Sequence, residues 1–304
     1  MDPRTDDRPG LDPRAVASLC NGAHDPTTRW DGRTWERATL TPEGPGAVRV
    51  RVGVAAHGSG PAPGIAVERH GPGGAWLEAR VDLMLGLRDR PPAIDAHHEA
   101  VAVALRRHRV PRIAASGTPW HELLPAILGQ RVTSRQARTQ WAALCRRLGE
   151  PAPGLPHLRL PPSPEALRAT TSWDLHALGI ERQRGDTLRR VAAHGARIAR
   201  LSEHEAHDAR EWLTRLRGVG EWTAAVTVAA SHGDPDAVPV GDYHVKHTVC
   251  WALAGRPRGT DDEMLALLAP YAGQRRRVLD LLARDGWSAP RYGPGRRLVD
   301  VARI

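Results

Sequence analysis

Residues 216–247 read LRGVGEWTAAVTVAASHGDPDAVPVGDYHVKH, and the parsing of this stretch decides the fold. Gly218 and Gly220 stand two apart, a spacing that no helix interior favours, because each glycine there costs roughly 1 kcal/mol relative to alanine. A tight turn is the better parse, followed by an apolar helical run, a Gly/Pro/Asp loop and a second helix entered through Asp242. Backbone N–H groups left over at such a turn, beside the positive end of a helix, make an anion site. A phosphate-binding hairpin with a lone carboxylate downstream is the pairing that chemistry on a nucleic-acid strand needs.

Composition agrees with an anionic partner. The 304 residues carry a formal net charge of +9 and a sequence pI of about 10.7, a balance that favours nucleic acid. Lys246 is the only lysine. So strong an Arg-for-Lys skew can be coding bias that inflates the pI, so net charge, which counts both alike, is the safer number. With 41% hydrophobic residues the chain is long enough for two domains with a sizeable core. Cys20, Cys145 and Cys250 lie far apart without a CxxC pair, which leaves neither a disulfide framework nor a four-cysteine zinc or iron–sulfur site and fits a reducing cytosol. The start, MDPRTDDRPG, has no apolar h-region, and no apolar run approaches the roughly 18 residues of a membrane span. A cytoplasmic protein is therefore expected, without membrane attachment.

Outward from the central stretch, residues 1–24 are rich in Pro, Asp, Arg and Gly without periodicity and are expected to be a mobile tail. Residues 25–92 form an expected β-containing domain: short alternating runs at Trp35–Leu40, Ala47–Val54 and Ile65–Val67 predict a small antiparallel sheet, and Ala75–Leu87 predicts one amphipathic helix covering it. The glycines of HGPGGAW, from His70, mark a turn, because the strand, loop, helix and acid of a dinucleotide site are missing. Arg90-Pro91-Pro92 marks a boundary. Residues 93–304 are expected to be all-helical, with helices near Asp95–Arg107, Trp120–Gly129, Thr133–Leu148, Pro164–Ala169, Gln183–Arg200 and Glu203–Leu216. The fold class is thus α+β, with no repeat period that would suggest a solenoid.

Among chemical motifs, His204/His207 and His244/His247 are i, i+3 pairs without a second ligand pair, so solvated or capping roles fit them better than a metal. No GxSxG elbow, P-loop or HExxH is present, which takes most of the support from hydrolases, NTPases and metalloproteases of those types.

The blocks ILGQRVTS, LRGVGEWTA and GDYHVKH, in this order, closely resemble those of helix-hairpin-helix DNA glycosylases, specifically the bacterial 3-methyladenine DNA glycosylase II branch. The segment from Pro162 to Ala192 is similar to the connecting helices of that branch, and the resemblance spans roughly residues 25–290. It implies a base excision enzyme that flips alkylated purines of the 3-methyladenine type out of double-stranded DNA and hydrolyses the N-glycosidic bond, working as a monomer, with Asp242 as catalytic carboxylate. The other use of such an aspartate is to cap the helix through Lys246, and the two roles can coexist. The base pocket implied is Trp222, Tyr243 and Trp120. Trp222 stands where bifunctional relatives carry a Schiff-base lysine, which implies monofunctional hydrolysis, and the i+4 spacing of Lys246 from Asp242 suggests an ion pair. DNA contacts are implied for Thr214, Leu216, Arg217, Gly218, Val219 and Gly220 of the hairpin and for Gln130 and Arg131, the latter at the position of a side chain that fills the gap left by the flipped nucleotide or grips a phosphate. The carbonyls of Thr214, Leu216 and Val219 would bind a monovalent cation, with no zinc, iron–sulfur cluster or organic cofactor required. Arg275, Arg276 and Arg277 replace aromatic pocket residues of relatives, and either contact phosphate or form a solvated helix face. Two further readings stay open: a glycosylase for oxidised or deaminated bases, and a non-catalytic lesion sensor.

Overall fold

The computed structural model describes residues 11–54 and 64–290. Helix α1 (Pro13–Ala17) leads into a meander of β1 (Thr28–Trp30), β2 (Thr34–Thr41), β3 (Gly44–Val54) and β4 (Gly64–His70), all antiparallel and adjacent in chain order. Register is fixed by inward residues: Trp35 opposite Val50 brings both into a core shared with Trp76, Leu77, Val81 and Met84. These last four come from α2 (Gly74–Glu78) and α3 (Val81–Met84). The single helix expected over 75–87 is thus broken, and Arg80 marks the break: its guanidinium sits 3.8 Å from the centroid of the Trp76 ring and donates to the Trp76 carbonyl. The HGPGGAW segment is the turn that the glycines indicate, with Gly71 at φ +76°.

Residues 11–24 are not a mobile tail. Val16 and Leu19 are buried in the sheet core, and Asp12 caps α1 and pairs with Arg284. The first ten residues of that expected tail lie outside the described residues, as do residues 291–304.

The rest is helical: α4 (Glu99–Arg107), α5 (Pro119–Leu128), α6 (Ser134–Leu148), α7 (Pro164–Arg168), α8 (Ser172–His176), α9 (Arg182–Ala192), α10 (Gly195–Arg200), α11 (Ala206–Thr214), α12 (Glu221–Ser231), α13 (Val245–Ala254), α14 (Asp261–Leu268) and α15 (Arg275–Arg284). The helix expected over 183–200 breaks at His194, which brings Gly195 against Pro164 so closely that a Cβ there would lie 2.3 Å from Pro164 Cγ. One exception interrupts the helices. A hairpin of β5 (Pro151–Ala152) and β6 (Leu155–Arg159) packs Leu155 and Leu158 against Ala38 and Ala47 of the sheet, so part of the N-terminal layer comes from the helical region.

Helix α5 is the pivot. Its apolar face, Leu123, Leu124, Ile127 and Leu128, fills a core closed by α6, α9, α10 and α12. From the same helix, Glu122 accepts a 2.6 Å ion pair from fully buried Arg37 of β2, and His121 lies between the Thr27 and Thr39 hydroxyls. Burial, and then the charge of Arg37, hold His121 well below the usual imidazole range, so it is neutral. A second helical core, with Val249, Leu268, Tyr271 and Leu281, unites α4 with α13, α14 and α15.

Candidate active site and DNA interface

The turn from α11 to α12 is held from below and open above. Leu216 and Val219 are buried in the main core, and the Val219 N–H donates to the Leu216 carbonyl at 2.9 Å. Gly218, between them, and Gly220, just after Val219, are exposed. Gly218 needs its glycine twice over: φ is +97°, and a Cβ would meet Thr187 Oγ1 at 2.4 Å. Nothing lies within 4 Å of the position a Gly220 Cβ would take, so the N-terminus of α12, whose first N–H groups have no intrahelical partner, can accept an anion closely. Arg190 braces the turn by donating to the Arg217 carbonyl at 2.7 Å, while Arg217 itself is exposed.

Gln130 ties this hairpin to the loop after α5, donating to the Gly218 carbonyl and the Thr223 hydroxyl, both at 2.9 Å. The next residue, Arg131, is exposed and is the one described non-glycine residue with positive φ, +58°. That left-handed conformation is uncommon for a non-glycine residue and is held here by the surrounding structure, a pattern that clusters at functional sites. Buried Arg184 supports the loop from behind, donating at 2.7 Å to both the Leu128 carbonyl and Gln140 Oε1.

Asp242 is half-buried in front of α13. Its Oδ1 accepts the N–H groups of His244 at 2.7 Å and Val245 at 3.0 Å, and its Oδ2 accepts the Trp222 indole N–H at 3.1 Å. The carboxylate therefore serves the start of a helix while being aimed by a side chain from α12. The Trp222 ring reaches the loop beyond α5, and a Cβ on Gly129 would come within 3.0 Å of it. Carboxylate, indole and the Arg131 loop thus meet at one place, which neither the spacing nor the periodicity of the sequence reveals.

Lys246 does not pair with Asp242. Its ammonium lies 3.0 Å from Asp261 Oδ2, whose other oxygen accepts the Gly241 N–H at 3.0 Å. Burial opposes ionisation of Asp261, yet the Gly241 N–H and the ammonium outweigh it and hold the carboxyl below its usual range. The pair fastens the loop that carries Asp242, because i+4 geometry does not apply where Asp242 stands outside the helix.

Tyr243 stands next to Asp242, 67% exposed, with its ring edge-on to His244 and His247. Trp120 lines no open pocket: it is 3% exposed in the main core, and its indole N–H is spent on the Pro162 carbonyl at 3.0 Å. The arginine run is engaged within the protein rather than forming a solvated face. Arg275 binds Asp236, Arg276 donates to the Ala229 carbonyl, and Arg277, 2% exposed, binds Asp89 at 2.7 Å. Among the described residues no group of three or more His, Cys, Asp or Glu could hold a metal, and no helix is long and apolar enough to cross a membrane. Two cavities, of about 760 and 650 Å³, lie away from Asp242.

Residues 124–272, which include the α5 end, the hairpin and Asp242, match the model of the HhH-GPD superfamily of base excision DNA repair proteins. The chain belongs to that superfamily. A comparison with curated protein sequences gives no match. Solved DNA glycosylase structures share the fold, two of them over about nine-tenths of this chain. The 3-methyladenine DNA glycosylase of Archaeoglobus fulgidus is 18% identical with a TM-score of 0.69, covering 90% of this chain and 95% of its own. The 8-oxoguanine glycosylase/lyase of Clostridium acetobutylicum, in complex with double-stranded DNA, is 13% identical with a TM-score of 0.61, covering 89% and 92%. A 3-methyladenine DNA glycosylase of Schizosaccharomyces pombe, bound to abasic DNA, is 18% identical with a TM-score of 0.52, covering 62% of this chain and 91% of its own. The protein is accordingly a base excision repair DNA glycosylase with the superfamily's helical domain behind an N-terminal sheet.

Proposed function

We propose that this glycosylase is monofunctional, flips alkylated purines of the 3-methyladenine type out of duplex DNA and hydrolyses their N-glycosidic bond. The observation that carries the reading is the Asp242 carboxylate, fixed by three donors and facing the same place as Trp222 and the Arg131 loop. In the reaction the N-glycosidic bond breaks with its electron pair going to the base, a water oxygen bonds to C1′, and the water's proton passes to solvent. Positive charge builds on the sugar, and a fixed carboxylate beside it is worth about 4 kcal/mol for a pair at 4 Å and an effective dielectric near 20, roughly a thousandfold in rate. A base that is already cationic leaves without prior protonation, which suits a site holding one carboxylate and an indole whose π-face attracts cations.

The monofunctional assignment rests on two residues. Trp222 occupies the position at which the resemblance places a Schiff-base lysine, and Lys246 is engaged in an ion pair with Asp261. Similarity of fold to the Archaeoglobus 3-methyladenine enzyme supports the alkylated purine, and that to the Clostridium 8-oxoguanine glycosylase/lyase keeps an oxidised purine as the second reading. On the DNA side, Arg217, Gly218 and Gly220 would bind a backbone phosphate, Arg131 would fill the space of the flipped nucleotide, and Gln130 would set the distance between the two. Thr214 closes α11, where carbonyls lack intrahelical partners, so with Leu216 and Val219 it fits the monovalent cation that would add positive charge beside that phosphate. Monomeric action in the cytosol or nucleoid completes the proposal.

Incubation with randomly methylated duplex DNA, with chromatography of the released bases, tests the substrate: 3-methyladenine should dominate, and release of 8-oxoguanine alone from oxidised DNA would move the assignment to the second reading. Strand cleavage without alkali, together with a borohydride-trapped adduct, would refute the monofunctional mechanism.

A further inference from the structure

Arg29, Glu36, Arg49 and Glu68 are register partners on the four neighbouring strands, so they form one row of alternating charge on one face of the sheet. Both carboxylates of the row are taken. Glu36 accepts from Arg49 at 2.7 Å and sits 2.7 Å from His157 Nε2, and Glu68 accepts from Arg49 at 3.1 Å and Arg51 at 2.5 Å. Arg29, exposed at the β1 end of the row, has no share in either.

Beside this end of the row lies the cavity of about 760 Å³, lined by Arg29, Trp30, Cys20 and Arg138 of α6 among others. Arg138 is placed there by Gly22, at φ +91°, where a Cβ would stand 2.8 Å from Arg138 Cδ. Asp31, also on the wall, spends its Oδ1 on the N–H groups of Arg33 and Thr34 in its own turn. Burial, reinforced by Asp25, pushes the Cys20 thiol up to about 12, so no thiolate opposes an anion there.

Helix α6, which follows the Arg131 loop, carries Arg138 to this cavity. From Arg131 to Leu148 the chain carries five arginines and no acid, and Arg131, Arg135 and Arg138 are all exposed. Within α6, Arg135 and Arg138 are about one turn apart, roughly 4.5 Å along the axis at about 1.5 Å per residue, so Arg138 continues the exposed basic side that begins at Arg135.

We infer that this cleft is a second DNA contact, in which Arg29 and Arg138 bind backbone phosphates of the duplex flanking the lesion. The inference rests on the proposed place of Arg131 at the flipped nucleotide. Arg29 feels the charge of Asp31, but that carboxylate is held by the N–H groups of its own turn, so both guanidiniums can take phosphate oxygens, contacts that fix register without reading sequence. The N-terminal sheet thereby becomes part of the DNA footprint.

The test is the salt dependence of duplex binding by the full chain, read by fluorescence anisotropy on DNA with a central abasic-site analogue. One duplex has ordinary phosphates throughout, and a second of the same length carries neutral methylphosphonate linkages beyond about two base pairs from the lesion on either side. With the ordinary duplex, R29A/R138A should lower the slope of log K against log salt by about two, since each phosphate contact contributes about 0.9. R29K/R138K should keep the wild-type slope, and R106A, an arginine on α4 paired with Glu99, should not alter it. With the neutral-flank duplex, wild type and R29A/R138A should agree. Equal slopes on the ordinary duplex, or an equal fall on both duplexes, would overturn the inference. Loss of base release in D242N leaves these slopes as they are, so failure here and failure of the glycosylase reading are separable.

Discussion

Asp242 is positioned by two backbone donors of its own loop and one indole from another helix, so little rotamer freedom is left to the group that must face the sugar. Trp222→Phe keeps a ring against Gly129 but removes the indole donor. A hydrogen bond of this kind is worth about 1 kcal/mol, so single-turnover base release should slow by roughly fivefold while duplex affinity is retained; an unchanged rate would show that the tether does not aim the carboxylate. Asp242 and the glycines were readable in the sequence because punctuation residues and a lone acid before a helix carry local meaning. The indole tether was not, since a bond between residues 222 and 242 depends on how α12 and α13 pack. The arginines at 275–277 failed for the same reason. An arginine run reads alike on a solvated face and in a buried network, and its partners Asp89 and Asp236 come from distant segments.

At the scale of the elements, the hairpin and the Arg131 loop are joined by one side chain, Gln130. Gln130→Ala should leave phosphate binding at Gly218 and Gly220 in place but loosen the loop that enters the opened base pair, so base release should fall by about tenfold with little loss of affinity for undamaged duplex. Parallel losses in both would mean that Gln130 is a DNA contact in its own right. Gly218→Ala should act differently. It strains a φ of +97° and drives a methyl into Thr187, so duplex affinity should fall first, as read by anisotropy. Turn and helix boundaries were legible here because glycine spacing and capping residues mark them. The breaks at Arg80 and His194 were not, because a cation on an aromatic ring and a Gly–Pro contact arise only once the chain is folded.

Across the whole molecule, the N-terminal layer and the helices are joined through polar groups inside the structure rather than through a linker. Arg37 and Glu122 are paired at 2.6 Å in the interior, with His121 bridging two threonines of the sheet side. Arg37→Met leaves Glu122 buried without its partner, which costs about 3–5 kcal/mol; urea unfolding should show that loss, and R37M/E122L should recover most of it. The α+β class and the order of the layers followed from strand alternation and helical periodicity. The docking of α1, the added hairpin β5–β6 and this polar junction did not, since each depends on contacts between segments far apart in sequence.

The most direct measurement is single-turnover release of 3-methyladenine from methylated duplex DNA by Asp242→Asn beside the unmodified protein, with binding to a duplex carrying an abasic-site analogue followed in parallel. Release should fall by about a thousandfold while binding stays within a fewfold of the unmodified protein. Release at an unchanged rate would contradict the assignment of Asp242 as the catalytic carboxylate.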